Sequence, residues 1–174
     1  MKIYTSLALI LLTVMLFMGC KDNTKVQPVR KVQKVVEPKG PRVMGDNTVS
    51  RKVGWVGGIY TVEVKLHADK SLAKASDGSH EYSDTKISVR SLRQNGSEFF
   101  NREFTKADFK AKVDDQYYKN GALLGIVFVR SEGPELVFAA SVGNPDKSSD
   151  EYVPLVLKIS KLGTVTITQD ENLE

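Results

Sequence analysis

Residues 123–142 read LLGIVFVRSEGPELVFAASV. Two almost continuously apolar runs, Leu123 to Val129 and Leu136 to Val142, flank Ser131-Glu132-Gly133-Pro134. This pattern predicts two strands joined by a hairpin turn. With so little polar surface on either face, these two strands are expected to be the most buried of the fold. Downstream, Val153, Leu155, Leu157 and Ile159 alternate with Pro154, Val156 and Lys158, the period of a strand with one buried face. Pro154 cannot donate to a ladder, so it is expected at an edge or bulge. Lys161-Leu162-Gly163 then turns the chain into a last strand over 164–168.

The same period runs upstream. Tyr60, Val62, Val64 and Leu66 alternate with Thr61, Glu63 and Lys65, and Val53 and Trp55 precede them across Gly57-Gly58. Residues 69–84 are polar and hold Gly78 and several serines, the composition of a long loop. Ile87, Val89 and Ser91 form another alternation, and Leu92 breaks its phase as a bulge would. Asn95-Gly96 suits a type I′ hairpin turn, whose two central residues both need positive φ. Residues 99–104 would return as a strand.

One helix is signalled near 105–119. Thr105 is placed as the N-cap with Asp108 at N3, and Phe104 and Phe109 are spaced as a hydrophobic staple. Phe109, Val113 and Tyr117 fall on one stripe, and Asn120-Gly121 closes the element. The fold expected is therefore mainly β, a β-rich α+β domain. Its core would be an antiparallel sandwich or barrel-like sheet of about seven to eight strands with one short helix. The length of 174 residues suits one such domain with extras.

The extras lie at the front. Residues 1–19 carry Lys2 and then an almost unbroken apolar run, the n- and h-regions of a signal peptide. The run ends Leu16-Phe17-Met18-Gly19-Cys20, a small residue before the single cysteine of the chain. This resembles a bacterial lipobox, with leucine one place further back than usual. One cysteine makes no internal disulfide, whereas a lipidated Cys20 bearing several acyl chains would anchor stably. Residues 20–45 follow as a tether. Residues 21–45 hold seven basic and two acidic side chains, a net +5, with three prolines and no aromatic residue. Such a stretch buries too little apolar surface to offset its ordering entropy. It reads as a solvated spacer, with contact to anionic headgroups as the alternative. Its valines at 26, 29, 32, 35 and 36 have strand character without an evident partner.

Residues 46–174 hold 17 basic and 19 acidic side chains, a net −2, so the sequence pI near 9.1 belongs to the front of the chain. That removes the basic face a nucleic-acid-binding domain needs. Nothing in the sequence asks for a second copy, and a monomeric domain is expected.

The stretches FFNREFTKADF (99–109), DDQYYKNGALLGIVF (114–128), LVFAASV (136–142) and DEYVPLVLKISKLGTVTI (150–167) together resemble a family of uncharacterised Bacteroidetes lipoproteins, domain of unknown function 4738. The resemblance covers about residues 49–173. It implies a lipoprotein of the bacterial envelope and implies no activity.

Catalytic chemistry finds little purchase. His67 with Asp69, and His80 with Glu81 and Asp84, would converge on a metal only if the 69–84 loop folded back, and the spacing fits no ligand pattern. Ser79 precedes His80, yet sequence neighbours on extended chain point apart, and there is no G-x-S-x-G elbow. Asp114-Asp115 and Asp150-Glu151 read as structural acids rather than a glycosidase pair. No cofactor motif is present. The densest polar-aromatic group is Asp114, Tyr117, Tyr118 and Lys119. Tyr117 shares the core stripe, which leaves Tyr118, Lys119 and Asp114 as the candidate recognition surface.

The sequence thus favours a non-enzymatic binding module, lipid-anchored at the outer membrane and facing an envelope protein or glycan. A carrier of a small apolar ligand or lipid, with its pocket in the β-sheet, is the alternative. A hydrolase with an unfamiliar site stands third. Substituting the anchor separates the first step: Cys20→Ser is expected to leave the chain uncleaved or to move it out of the detergent phase on Triton X-114 partition. A mutant processed and partitioned like wild type would overturn the anchor.

Overall fold

The computed structural model describes residues 40–171. The signal peptide, Cys20 and the valines at 26–36 lie outside the described residues. No helix among the described residues is long and apolar enough to cross a membrane.

The strands are β1 (Asn47–Trp55), β2 (Gly58–Ala68), β3 (Ala75–Ser76), β4 (Glu81–Tyr82), β5 (Thr85–Arg93) and β6 (Glu98–Phe104). After a helical segment come β7 (Ala122–Glu132), β8 (Glu135–Gly143), β9 (Tyr152–Ser160) and β10 (Val165–Gln169). Two four-stranded antiparallel sheets result, ordered β1-β2-β5-β6 and β10-β9-β8-β7. The sheets are not closed on one another, so the fold is a sandwich and not a barrel. Alternation explains why they face each other. Val62 and Val64 of β2 and Ile87 and Val89 of β5 turn inward to meet Leu136 and Phe138 of β8 and Leu155, Leu157 and Ile159 of β9 in one buried cluster. Burial of this apolar face is the main term holding the sheets together.

Several local details depart from the sequence reading. The 69–84 loop contains the two-residue pair β3–β4. β8 is central and well buried, but β7 is an edge strand, and its Val127 and Val129 are exposed. Position in the sheet, not apolarity alone, sets their burial. The Asn95-Gly96 turn is not type I′. Among the described non-glycine residues only Val56 has positive φ, while Gly96 alone in its turn does, at 80°. With Gly96 N–H donating to Arg93 O at 2.9 Å, that turn is a type I turn followed by a glycine in the left-handed region. The two-residue type I′ position falls instead at Val56-Gly57, with φ of 41° and 78°. The bulge expected at Leu92 is present and leaves Phe99 unpaired opposite it. Phe99 packs edge-on against Trp55 at 5.2 Å. Pro154 lies inside β9, where its carbonyl accepts from Asp170 N–H at 3.1 Å, just past the last β10 pair. Its missing N–H faces the same way, so the bond it forgoes is the reciprocal one to Asp170, past the end of β10.

The helical segment is two elements. A 3-10 helix, Lys106–Lys112, is followed by a break at Val113 and by α1, Asp115–Asn120. At the start, the Asp108 carboxylate accepts from Thr105 N–H at 2.9 Å, and the Asp108 amide reaches the Thr105 carbonyl at 3.0 Å. Phe104 and Phe109 are fully buried, their rings 6.4 Å apart. Val113 is extended, with φ of −123°, so the expected stripe ends there. Asp114 therefore does not lie late in one continuous helix. It is the N-cap of α1, accepting from Tyr117 N–H at 2.9 Å.

One buried polar cluster joins these pieces. Asp84, just before β5, accepts from Thr85 N–H at 2.8 Å and from Leu123 N–H of β7 at 3.1 Å. Its other oxygen lies 3.4 Å from Lys106 Nζ, and that ammonium donates to Gly121 O at 2.5 Å. The Thr85 hydroxyl also donates to Leu123 O. The side chains of Asp84 and Lys106 are 3% and 8% exposed, so each charge depends on the other. Removing one partner of a buried pair strands its mate. Lys106→Ala is accordingly expected to lower stability by about 3–5 kcal/mol, and Lys110→Ala, on the exposed side of the same turn, by less than about 0.5 kcal/mol. Urea melts of both variants check this; equal losses would remove the buried pair from the account.

Candidate functional site

The short helix α1 and its surroundings form the site. Tyr117 and Tyr118 both lie half-buried on it. The Tyr118 ring sits beneath two ammonium groups, 5.8 Å from Lys106 Nζ and 5.0 Å from Lys110 Nζ. Lys119 is exposed, and Asp114 is committed to its capping bond. The three residues singled out from sequence are therefore neighbours with different duties rather than one patch.

What sequence reasoning missed lies on the other side of α1. Gln116, Tyr117 and Asn120 line a cleft of about 300 Å³. Across from them stand Ser76, Asp77 and Gly78, at the turn between β3 and β4, and Asn144 and Glu151, where the chain leaves β8 and enters β9. The floor is Gly121. Here glycine is required for space: a Cβ would fall 2.6 Å from Tyr117 O and 2.8 Å from Gly143 O, both fixed backbone atoms. The close approach seats the end of α1 on the end of β8.

The two walls differ in character. Opposite α1 the polar groups are already bonded. Asp77 Oδ1 accepts from Ser79 N–H at 2.7 Å and His80 N–H at 2.6 Å. Its Oδ2 accepts from the Tyr82 hydroxyl at 2.8 Å and lies 3.2 Å from His80 Nδ1. Burial works to raise the Asp77 carboxyl, but these donors outweigh it and hold the group well below the usual carboxylate range. Asn144 Oδ1 accepts from Asp146 N–H at 3.0 Å, and its amide lies 3.3 Å from Glu151 Oε2. On the α1 wall, the side chains of Gln116, Tyr117 and Asn120 make no hydrogen bond among the described residues.

The residues considered for catalysis or metal binding are dispersed. His80 turns to Asp77, Asp84 is buried with Lys106, and Asp69 holds Lys86 at 3.0 Å. His67 pairs in register with Lys86 across β2 and β5, the inner strands of the first sheet. No group of three or more His, Cys, Asp or Glu side chains among the described residues is placed to hold a metal ion. Asp150 and Glu151 lie at the β9 end of the cleft, exposed.

Because Gly121 carries both the Lys106 bond and the close contact, Gly121→Ala is expected to cost about 1–3 kcal/mol through overpacking. A thermal melt reads this; an unchanged melting temperature would mean that α1 is not seated on β8 as described.

A family model described as Domain of unknown function (DUF4738) matches residues 27–167. No curated protein matches the chain.

Proposed function

Because the chain belongs to the family described as a domain of unknown function, DUF4738, which carries no activity with it, we propose from its own residues that it is a non-enzymatic interaction module of the bacterial envelope. Lipidated Cys20 would hold it in the outer membrane, and the domain would engage an envelope protein or glycan. The observation that carries the binding half of this reading is the α1 wall, where three polar side chains line one cleft without a hydrogen-bond partner among the described residues. Gln116 and Asn120 are exposed, so their hydrogen bonds are made to water that a polar ligand can replace. The anchoring half is supported by the order of signal run, Gly19 and Cys20 in the sequence.

The carrier reading finds less support. Phe104, Phe109 and Phe138 are fully buried against their neighbours rather than lining a space. The apolar concavity between β1, β2 and the β7 edge measures about 180 Å³, below the roughly 300–1,000 Å³ of ordinary small-ligand sites.

Crosslinking the full lipoprotein in its own cells tests the reading. Recovery of a defined envelope component is expected, and Cys20→Ser should reduce the yield. Turnover of a substrate by the purified chain would overturn the non-enzymatic assignment.

A further inference from the structure

We infer that the cleft under α1 binds a neutral saccharide unit, which rests on the interaction reading and names its ligand class. Its volume of about 300 Å³ suits a single sugar ring with part of a neighbour. The chemistry of the walls then excludes the other classes in turn.

An anion would meet the carboxylates of Asp77 and Glu151, and no Lys, Arg or His is among the described residues lining the cleft. An apolar ligand would strip water from amides and carboxylates without replacing their hydrogen bonds. A cation would find little purchase, because both Asp77 oxygens are taken by fixed donors. Glu151, the remaining carboxylate, is exposed, and an exposed ion pair contributes little.

A neutral ring of hydroxyl groups meets none of these objections. Each hydroxyl donates one hydrogen bond and accepts others, and a side-chain amide does both as well. Gln116 and Asn120 offer that dual capacity on one wall, with the Tyr117 hydroxyl between them in sequence. On the opposite wall Asn144 Oδ1 and the Glu151 carboxylate each keep acceptor capacity beyond the internal bond they already make, and those bonds hold both side chains in place, so less ordering is left for the moment of binding. Rigid acceptors on one side and free amides on the other form a site pre-arranged for a polyol.

The neighbouring hollow on the far side of the 144–149 turn lacks this arrangement. It is larger, about 430 Å³, and mixes Met44, Leu66 and Leu124 with Asn47, Lys147 and Ser149. Its carboxylates are already engaged, Asp46 by Ala68 N–H and Asp146 by Ser148.

The test uses the full chain in a zwitterionic detergent and saturation-transfer NMR. The neutral probes are glucose, galactose, mannose, N-acetylglucosamine and their β-linked disaccharides, with putrescine as the cationic probe and inorganic phosphate as the anionic one. At least one neutral sugar is expected to bind, and neither charged probe. The double variant Gln116→Ala/Asn120→Ala should bind that sugar about tenfold more weakly, as expected for two lost hydrogen bonds. Its melting temperature should be unchanged, since both side chains are exposed. Tyr117→Phe should weaken binding less and leave the fold intact. Binding of putrescine or phosphate alone, binding of no probe, or equal affinity in the double variant would each overturn the saccharide assignment. In-cell crosslinking separates this from the broader reading: a partner recovered equally by wild type and double variant sinks the cleft and leaves the interaction module standing.

Discussion

The buried contact between Asp84 and Lys106 is the constraint on which the rest of the structure depends. Packing of the two apolar faces is strong but without direction, and by itself it tolerates sliding. Asp84 gives the packing a register. It leaves the first sheet just ahead of β5 and takes the amide of Leu123, at the start of the other sheet's edge strand. Lys106 approaches from the 3-10 helix and takes the Gly121 carbonyl on the other side. Three segments distant in sequence are thus pinned at one point. Such a pair stabilises less than its Coulomb attraction suggests, because both ions are dehydrated. Its consequence is positional: β7 begins where Asp84 places it, and α1 must end two residues earlier, at Asn120.

From that point the cleft follows. Gly121 cannot be bulkier without striking Tyr117 O and Gly143 O, so the last turn of α1 lies directly on the end of β8. Gln116, Tyr117 and Asn120, spaced for one side of a single helical turn, are thereby turned toward the β3–β4 turn and the segment joining β8 to β9. Asp77 holds that turn closed through bonds that remain as long as its carboxyl is ionised. Its depressed pKa means this contribution is fully present above the ordinary carboxylate range. It is lost only as pH falls through the lower folded value. The cleft therefore keeps its fixed wall through neutral and mildly acidic conditions.

What the sequence disclosed was what short-range pattern can carry. Period-two alternation marked β2, β5 and β9, and the phase break at Leu92 marked the bulge that frees Phe99. The staple of Phe104 on Phe109 was legible because the two residues are only five apart in sequence, on either side of the Thr105 cap. Long-range pairing was not. Lys106 looks like any basic residue in a polar helical turn, and Asp84 like the end of a solvated loop, until the fold brings them together. Asp114 was misplaced for a related reason: spacing of four from Phe109 to Tyr117 suggested one continuous helix, and only the extended backbone at Val113 shows that a second helix begins. The type I′ turn was hidden behind valine, the residue type least suited to positive φ. The candidate site suffered most. The sequence singles out Tyr118 because Tyr117 shares the stripe of Phe109 and Val113, whereas the cleft takes Tyr117 and the lysines cover Tyr118.

The polarity of the cleft also bears on how such a module would work. A shallow polar site gains little from apolar burial, and hydrogen bonds exchanged with water contribute only about 0.5–1.5 kcal/mol each. A few of them give weak, rapidly reversible binding. Confinement offsets that weakness. On the proposed anchoring, both the domain and a glycan-bearing surface occupy the same thin envelope, so the second contact is made at high effective concentration. A site of this kind has no need of a deep pocket, a metal or a strained catalytic residue. It needs a rigid wall, a few unengaged side chains opposite, and a frame that does not drift. The sandwich pinned at Asp84 and Lys106 supplies the frame, and the six residues of α1 supply the side chains.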